Sequence, residues 1–178
     1  MTIRRLAALP LFLAFAATAA RAGGPISAEE VQAAQKAWGD AIVAIGAAHA
    51  AGGDARALAE RTVADLYGYD LGPVLFKPTK AAALEFRDTP AEAVSYFVGG
   101  EVPEDHGFAL QPWTAVRFGE QQLAFDVDSA VAMGNYYFTD AASGAETKVN
   151  FTFGYAKDDA GRVRIVVHHS SLPYVPHP

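Results

Sequence analysis

The C-terminal part of the sequence sets two histidines and two serines side by side at the end of an apolar run. Val163, Ile165 and Val167 recur at every second position, as in a strand with one buried face. Strict alternation extends that face to His169 and Ser171. An imidazole and a hydroxyl that continue a core face can titrate near neutrality and donate hydrogen bonds inside a pocket. The alternative is a strand that runs out of the core into solvent.

The histidines do not form an evident metal site. A catalytic zinc ion needs three protein ligands on one side of the metal, but neighbouring strand residues such as His168 and His169 point in opposite directions. The chain has no cysteine to replace a missing ligand. The one local cluster of carboxylates with a histidine lies in a predicted loop, where such residues more often face solvent. The candidates are His49, His106, His168, His169 and His177, with the cluster Glu101, Glu104, Asp105 and His106.

Further candidate residues are dispersed along the chain. Thr79 follows Pro78 in a predicted loop, and Tyr96 lies on a short predicted helix. Tyr136 and Tyr137 are adjacent in a predicted strand, so one of them must point inward. The phosphate-loop, G-x-S-x-G and H-E-x-x-H motifs are absent. The net charge of −6 and the lack of a basic run after the first five residues exclude nucleic acid as an expected partner.

The first 22 residues have the pattern of a signal peptide. Arg4 and Arg5 precede the apolar run Leu6–Ala20, and Ala20–Ala22 reads as an A-x-A cleavage site. The apolar run is too short for a typical membrane span. Removal of this segment leaves 11 basic and 20 acidic residues, a net charge of −9. We expect an exported protein, periplasmic or secreted, whose mature chain 23–178 is a single domain without a membrane anchor.

The elements that must position these residues divide into helices and then strands. Capping boxes begin helices at Ser27 and Thr89, and Asp54 can cap another helix between them. A short strand is predicted at Val74–Phe76. Weak strands at 113–118 and 122–128 precede stronger ones at 130–140, 146–157 and 162–171. This order predicts an α+β fold, in which N-terminal helices pack on a strongly curved antiparallel sheet. The expected shape is a cone-like half-barrel with a pocket at its mouth.

Five short motifs occur in a characteristic order along the chain. They are Phe76–Thr79 (FKPT), Tyr96–Gly100 (YFVGG), Glu104–Phe108 (EDHGF), Gly134–Phe138 (GNYYF) and His168–Pro173 (HHSSLP). Together they resemble the iota-class carbonic anhydrases over about residues 30 to 175. That class is similar in fold to the calcium/calmodulin-dependent kinase II association domain and to the nuclear-transport-factor-2-like (NTF2-like) proteins.

The resemblance implies reversible hydration of carbon dioxide to bicarbonate and a proton. In metal-free members of the class, hydroxyl side chains bind bicarbonate. By motif position, the catalytic residues are Thr79, Tyr96, His169 and Ser171. Thr79, Tyr96 and Ser171 also bind substrate, and Phe108 gives an apolar wall. Some members are described as zinc- or manganese-dependent, but the histidine spacing makes a metal-free site the expectation here. The resemblance also implies a homodimer that pairs through the convex face of the sheet.

Two other functions remain open on the sequence. A SnoaL-like isomerase or cyclase on the same fold needs a buried carboxylate as base, for which Asp126, Asp128 and Asp140 are the candidates. A non-catalytic NTF2-like binding or association domain is the other, since a fold does not determine a function. A buried carboxylate in the pocket would favour the isomerase or cyclase, and a pocket filled by side chains would favour the association domain.

Overall fold

The computed structural model describes residues 24–176, in which three helices precede most of a five-stranded sheet. The predicted signal peptide and His177 lie outside the described residues. No helix in the described range has the length and apolar character needed to cross a bilayer. The elements are α1 Ala28–Ala50, α2 Ala55–Leu66, β1 Leu75–Lys77, α3 Pro90–Val98, β2 Trp113–Phe125, β3 Ser129–Asp140, β4 Glu146–Lys157 and β5 Val163–Ser171, with a 3₁₀ turn at Phe108–Leu110.

Both predicted capping boxes are present at the helix starts. The Ser27 amide donates to Glu30 Oε2 at 2.8 Å, and the Glu30 amide donates to Ser27 Oγ at 3.2 Å. Thr89 and Glu92 form the same reciprocal pair at the start of α3, with Pro90 at its first position. These bonds satisfy backbone donors that a helix N-terminus leaves unpaired. The side chains that define where these helices begin are therefore only three positions apart in the sequence.

The sheet has the order β1-β5-β4-β3-β2. Strands β2 to β5 form the predicted antiparallel meander, whereas β1 pairs with β5 in parallel. The sheet is therefore mixed, not wholly antiparallel. Because β1 and β5 are far apart in sequence, their pairing is not limited to the antiparallel geometry of a hairpin. The two weak strands predicted between residues 113 and 128 form one strand, β2, with a register irregularity between Phe118 and Gln121.

The core forms where α1 crosses one face of this open sheet. Trp38 lies at its centre, with its ring 5.7 Å from those of Tyr136 and Phe153. The close approach of α1 to the 3₁₀ turn depends on a small residue, because a Cβ on Gly46 would lie 2.8 Å from the Ala109 carbonyl oxygen. Helices on one side of an incompletely closed sheet give the half-barrel that the sequence predicts. The predicted α+β fold class is confirmed.

Candidate active site

Strand β5 contains a β-bulge just before its polar end. Tyr155 pairs with Ile165, but the preceding residue, Gly154, pairs with Val167. Val166 is thus an extra residue on β5, and such an insertion changes which residues face each side of a sheet. A Cβ on Gly154 would lie 2.9 Å from the Val167 Cβ. Glycine on the partner strand therefore allows the bulged strand to approach closely.

The bulge reverses the predicted orientation of the two histidines and two serines. His168 and Ser170 point into the core, with 2% and 3% of their surface exposed. His169 is exposed and Ser171 is half-buried. The prediction that His169 and Ser171 lie on the core face is wrong, because strict alternation does not hold across an inserted residue.

Three hydroxyl groups meet at the inner end of β5. Thr79 Oγ1 donates a hydrogen bond of 2.8 Å to Ser170 Oγ. The buried hydroxyl of Tyr136 lies close enough to both residues for their hydroxyls to act on its pKa. Strand β1 causes this meeting, because its parallel register sets Phe76 beside His168 and carries the chain on to Thr79 near Ser170. The sequence left the inward-facing tyrosine undecided, and the structure shows that it is Tyr136.

Tyr96 supplies a fourth hydroxyl from α3. Its oxygen lies near the backbone amide of Lys80, the residue after Thr79, and that amide acts to lower the pKa of Tyr96. A phenol hydroxyl can donate one hydrogen bond to an acceptor. Burial raises the pKa of Tyr96 and also that of Tyr136, so both phenols stay protonated at physiological pH. The Tyr96 ring stacks on Phe108 with centroids 5.3 Å apart.

The buried imidazole of His168 lies two residues before Ser170 on the same face. Its ring stacks on Phe76 at 4.6 Å and contacts Phe153 at 4.2 Å. Nδ1 lies 2.8 Å from the Tyr67 hydroxyl oxygen, whereas Nε2 is buried without a hydrogen-bond partner among the described residues. Burial lowers the pKa of His168 well below its ordinary value. The imidazole is therefore neutral at physiological pH, with one ring nitrogen free for a ligand.

A cavity of about 350 Å³ reaches this cluster at Tyr96 and Phe108. Its other lining residues include the polar side chains of Lys80, His106 and Gln111. A larger cavity of about 610 Å³ is lined by residues of α2 and α3 and by Tyr67, the hydrogen-bond partner of His168, but by none of the hydroxyl cluster itself. The smaller cavity combines an aromatic wall with a hydroxyl donor, so it is the better candidate for a site that binds a small oxygen-containing molecule.

The carboxylates near this cavity hold its two loops together. Arg87 is fully buried, and its Nη2 donates to Asp105 Oδ1 at 2.6 Å. Glu104 accepts hydrogen bonds from three consecutive backbone amides, those of residues 82–84, at 2.7 to 3.2 Å. These bonds fix the loop after Thr79 against the loop that carries Phe108. Glu104 and Asp105, from the local cluster of carboxylates with His106, are thus already engaged in hydrogen bonds within the protein.

Neither a metal-ligand set nor a catalytic carboxylate is found at the hydroxyl cluster. Within residues 24–176, no three histidine, aspartate or glutamate side chains are grouped so that they could hold a metal ion. Asp126 and Asp128 lie in the β2–β3 turn, and Asp140 accepts amides of the β3–β4 turn. The two carboxylates that do line this cavity are already engaged, Asp105 with Arg87 and Glu104 with three backbone amides, so neither is free to act as the base that an isomerase or cyclase requires. The cavity is also open, contrary to what an association domain with a filled pocket would show.

The family model described as metal-independent carbonic anhydrase matches residues 29–172. This chain belongs to that family. A protein of the same name from Nostoc sp. (strain PCC 7120) is 49% identical over 154 residues, covering 84% of this chain and 75% of the relative. The predicted identification as an iota-class carbonic anhydrase without a metal cofactor is confirmed by the family description and by this relative.

Solved structures agree with the assignment. An iota-carbonic anhydrase from a cyanobacterium, complexed with bicarbonate, superposes with a TM-score of 0.82 at 46% identity, over 86% of this chain and 96% of that one. A calcium/calmodulin-dependent protein kinase type II association domain protein from Thiobacillus denitrificans has a TM-score of 0.50 at 18% identity, over 80% and 94%. An NTF2-like protein from Streptomyces avermitilis has a TM-score of 0.50 at 14% identity, over 83% and 97%. The last two show the fold alone, and they confirm that it is NTF2-like.

Proposed function

We propose that this carbonic anhydrase hydrates carbon dioxide at the cluster of Thr79, Tyr96, Ser170 and His168. The Thr79 and Ser170 hydroxyls are hydrogen-bonded, Tyr96 lies next to Lys80, the residue after Thr79, and His168 lies two residues before Ser170 with a ring nitrogen that has no partner among the described residues. This grouping of side chains from three segments of the chain, beside an aromatic wall, carries the proposal. His168 and Ser170 take the places that alternation gave to His169 and Ser171. Thr79, Tyr96 and Phe108 keep the places that the motifs gave them.

The chemistry of hydration fits donors of this kind. Carbon dioxide is linear and apolar, so it can pack against the ring of Phe108, an apolar surface to which water binds weakly. As a water oxygen attacks the carbon atom, negative charge develops on the two carbon dioxide oxygens. Tyr96 and Ser170 can donate hydrogen bonds to those oxygens, and preorganised donors of this type stabilise a transition state by about 3 kcal/mol each. The product is bicarbonate, and the proton of the attacking water is released to solvent.

Thr79 has a different role from the two donors to substrate. Its own hydrogen is given to Ser170 Oγ, so the Ser170 hydrogen is free to point elsewhere. An O–H that accepts one hydrogen bond becomes a stronger donor. Thr79 therefore orients Ser170 and increases its capacity to donate to bicarbonate.

Stopped-flow measurement of carbon dioxide hydration by the mature chain 23–178 tests the proposal. We expect a rate well above that of buffer, and a loss of about 10-fold or more in Thr79→Val, in line with removal of one part of an oxyanion-type site. Thr147→Val is the matched control, because Thr147 is exposed on β4 and the same methyl-for-hydroxyl exchange should leave the rate unchanged. A wild-type rate equal to that of buffer would overturn the proposal.

We also propose that two copies pair through the outer face of the sheet. Val131 and Met133 on β3 are exposed on that face, with 44% and 59% of their surface accessible. On β4, Gly154 pairs with Val131 and Thr152 pairs with Met133. On β5, Val167 pairs with Gly154 and continues the same row. This strip is largely uncharged, as the centre of a homodimer interface usually is.

Sedimentation equilibrium of the mature chain at micromolar concentration tests the pairing. We expect a dimer for the wild type and a monomer for Met133→Lys, because a buried lysine without a partner is costly at an interface. Val127→Lys is the control, since Val127 is exposed in the turn before β3. A monomeric wild type would reject the pairing, and so would a Met133→Lys variant that remains dimeric.

Export is the third part of the proposal. The basic, apolar and A-x-A regions of residues 1–22 support cleavage before Gly23. We expect expression of the full chain to give an extracytoplasmic protein whose N-terminal residue is Gly23. Arrest of processing is expected in Ala22→Tyr, because small residues are needed at the cleavage site. Recovery of the uncleaved chain from the cytoplasm alone would contradict this proposal.

A further inference from the structure

Three buried side chains form a hydrogen-bonded series that ends at His168. Trp38 Nε1 donates to the Tyr67 hydroxyl oxygen at 3.0 Å, and that oxygen lies 2.8 Å from His168 Nδ1. The three residues come from α1, from the end of α2 and from β5. They are separated by 29 and 101 positions in sequence, so only the fold brings them together.

The chemistry of these groups determines where the hydrogens lie. An indole nitrogen can only donate, so the Tyr67 oxygen is the acceptor from Trp38. The Tyr67 hydroxyl then has one hydrogen, and His168 Nδ1 is the acceptor within reach. If Nδ1 itself carried a hydrogen, the buried Tyr67 hydrogen would be left without an acceptor, which is unfavourable. The series therefore favours the tautomer with its hydrogen on Nε2.

Packing keeps this arrangement rigid and free of opposing charge. The His168 ring is enclosed by the rings of Trp38, Tyr67, Phe76 and Phe153. No carboxylate is among the ring contacts and hydrogen bonds of His168 in the described chain. The titratable groups that act on it are the hydrogen-bonded Tyr67 and the adjacent His169, which is exposed on the other face of β5. Neither stabilises an imidazolium, and burial raises the pKa of Tyr67 so that it remains protonated.

We propose that Tyr67, supported by Trp38, is a positioning residue that holds His168 as the neutral Nε2–H tautomer, so that His168 donates a hydrogen bond to a substrate oxygen and is not the base that takes the proton from water. Nε2 has no hydrogen-bond partner within residues 24–176, so its hydrogen is available to a carbon dioxide or bicarbonate oxygen. This role of His168 rests on the proposed function, whereas the tautomer rests on the hydrogen bonds alone.

Nitrogen-15 NMR of the histidine rings tests the tautomer directly in tag-free mature protein. Two-bond ¹H–¹⁵N correlation spectra distinguish protonated from unprotonated ring nitrogens, and the His168 signal is assigned by eliminating the others in single His→Asn variants of His49, His106, His169 and His177. We expect His168 to show a protonated Nε2 and an unprotonated Nδ1 from about pH 5.5 to pH 8.5, the range in which an ordinary histidine titrates. A protonated Nδ1 anywhere in this range would overturn the proposal, whether or not the protein hydrates carbon dioxide.

Tyr67→Phe tests the positioning role. It removes the donor to Nδ1, so we expect His168 to show a mixture of tautomers or a titration within this pH range. We also expect kcat to fall by about 10-fold to 100-fold with little change in KM, as when the partner of a functional histidine is removed elsewhere. Tyr69→Phe is the matched control, because its ring stacks on Tyr67 but its hydroxyl donates to the Arg87 carbonyl oxygen.

The outcomes separate this inference from the proposed function. A folded Tyr67→Phe protein with an unchanged His168 spectrum and an unchanged kcat would reject the positioning role. If Tyr67→Phe does not fold, the wild-type spectrum alone still supports or rejects the tautomer. A wild-type protein that has the expected tautomer but no hydration activity would reject the proposed function and leave the tautomer established.

Discussion

Thr79 Oγ1 and Ser170 Oγ lie 2.8 Å apart although 91 residues separate them in the chain. The link depends on the parallel pairing of β1 with β5, which sets Leu75–Lys77 beside residues 167–169. It also depends on the bulge in β5, which turns Ser170 inward in place of Ser171. The two serines therefore offer a test of the site in which the substitutions are chemically identical.

Ser170→Ala should lower the carbon dioxide hydration rate by about 100-fold, the typical loss when one donor to a developing oxyanion is removed. Ser171→Ala should leave the rate within about 2-fold of wild type, since Ser171 is on the opposite face. Stopped-flow assays with both variants at equal folded concentration measure the difference. The reverse pattern would show that the sequence-based choice of Ser171 was correct and that the inward face of β5 is misassigned.

Tyr96→Phe should retain the fold but lose most of the activity. The stacking of its ring on Phe108 and its edge-to-face contact with Phe76 do not require the hydroxyl, whereas donation to substrate does. We expect an unchanged melting temperature to within a few degrees and a rate lower by about 100-fold. Tyr137→Phe is the control, because Tyr137 is half-exposed and its ring contacts Arg117. Full activity in Tyr96→Phe would show that the Tyr96 hydroxyl has no part in the reaction.

Gly154→Ala should disturb the bulge that orients His168 and Ser170. The new Cβ would lie 2.9 Å from the Val167 Cβ, a contact that must be relieved by moving β5. Overpacking of this kind lowers the free energy of unfolding by about 1–3 kcal/mol, and we expect hydration to fall together with stability. Gly24→Ala is the control, since nothing lies within 4 Å of a Cβ built there. Wild-type stability and rate in Gly154→Ala would contradict the role given to this glycine.

Asp158 should contribute to stability at neutral pH but not in strong acid. Burial on its own would raise its pKa, but hydrogen bonds from Arg162 and Arg164 hold the pKa of Asp158 at about 2. A carboxylate with a lowered folded-state pKa stabilises the protein above its unfolded-state value of 3.8, and this contribution disappears as the pH falls toward about 2.

Urea unfolding of Asp158→Asn across this pH range checks the prediction. The variant should be less stable than wild type at pH 7, and the two unfolding free energies should converge between about pH 4 and pH 2. Asp159→Asn, which replaces an exposed neighbour, should follow the wild-type curve. A difference between Asp158→Asn and wild type that does not change with pH would show that packing, and not charge, accounts for the effect.

Removal of metal should leave the activity unchanged. The mature protein, purified without a histidine tag, is dialysed against a strong chelator, and its metal content is measured by elemental analysis before hydration is assayed. We expect the same rate before and after dialysis, because Glu104 and Asp105 are occupied by backbone amides and Arg87. Loss of activity that zinc or manganese restores would contradict this, and His106 and His169 would then be the first ligands to replace.

Local sequence signals were sufficient for the elements and for half of the candidate site. The capping boxes at Ser27 and Thr89 and the period-two runs of β3 to β5 act over a few residues, so they can be read directly from the chain. Thr79, Tyr96 and Phe108 were placed by motif position, and the structure brings Tyr96 against Phe108 and next to the residue that follows Thr79. The parallel pairing of β1 was not predictable in this way, because it joins segments about 90 residues apart.

The inward face of β5 was decided only by tertiary structure. Alternation identifies a face as long as each strand residue has one partner, but the pairing of β4 with β5 inserts Val166 and exchanges His169 and Ser171 for His168 and Ser170. Gly154, within an otherwise regular strand, was the one local sign of such an irregularity. The neutral state of His168 is likewise not encoded near it, since its hydrogen-bond partner is 101 residues away. The sequence by itself thus determined the family and the types of side chain at the candidate site, whereas the register between distant strands determined which histidine and which serine face the core.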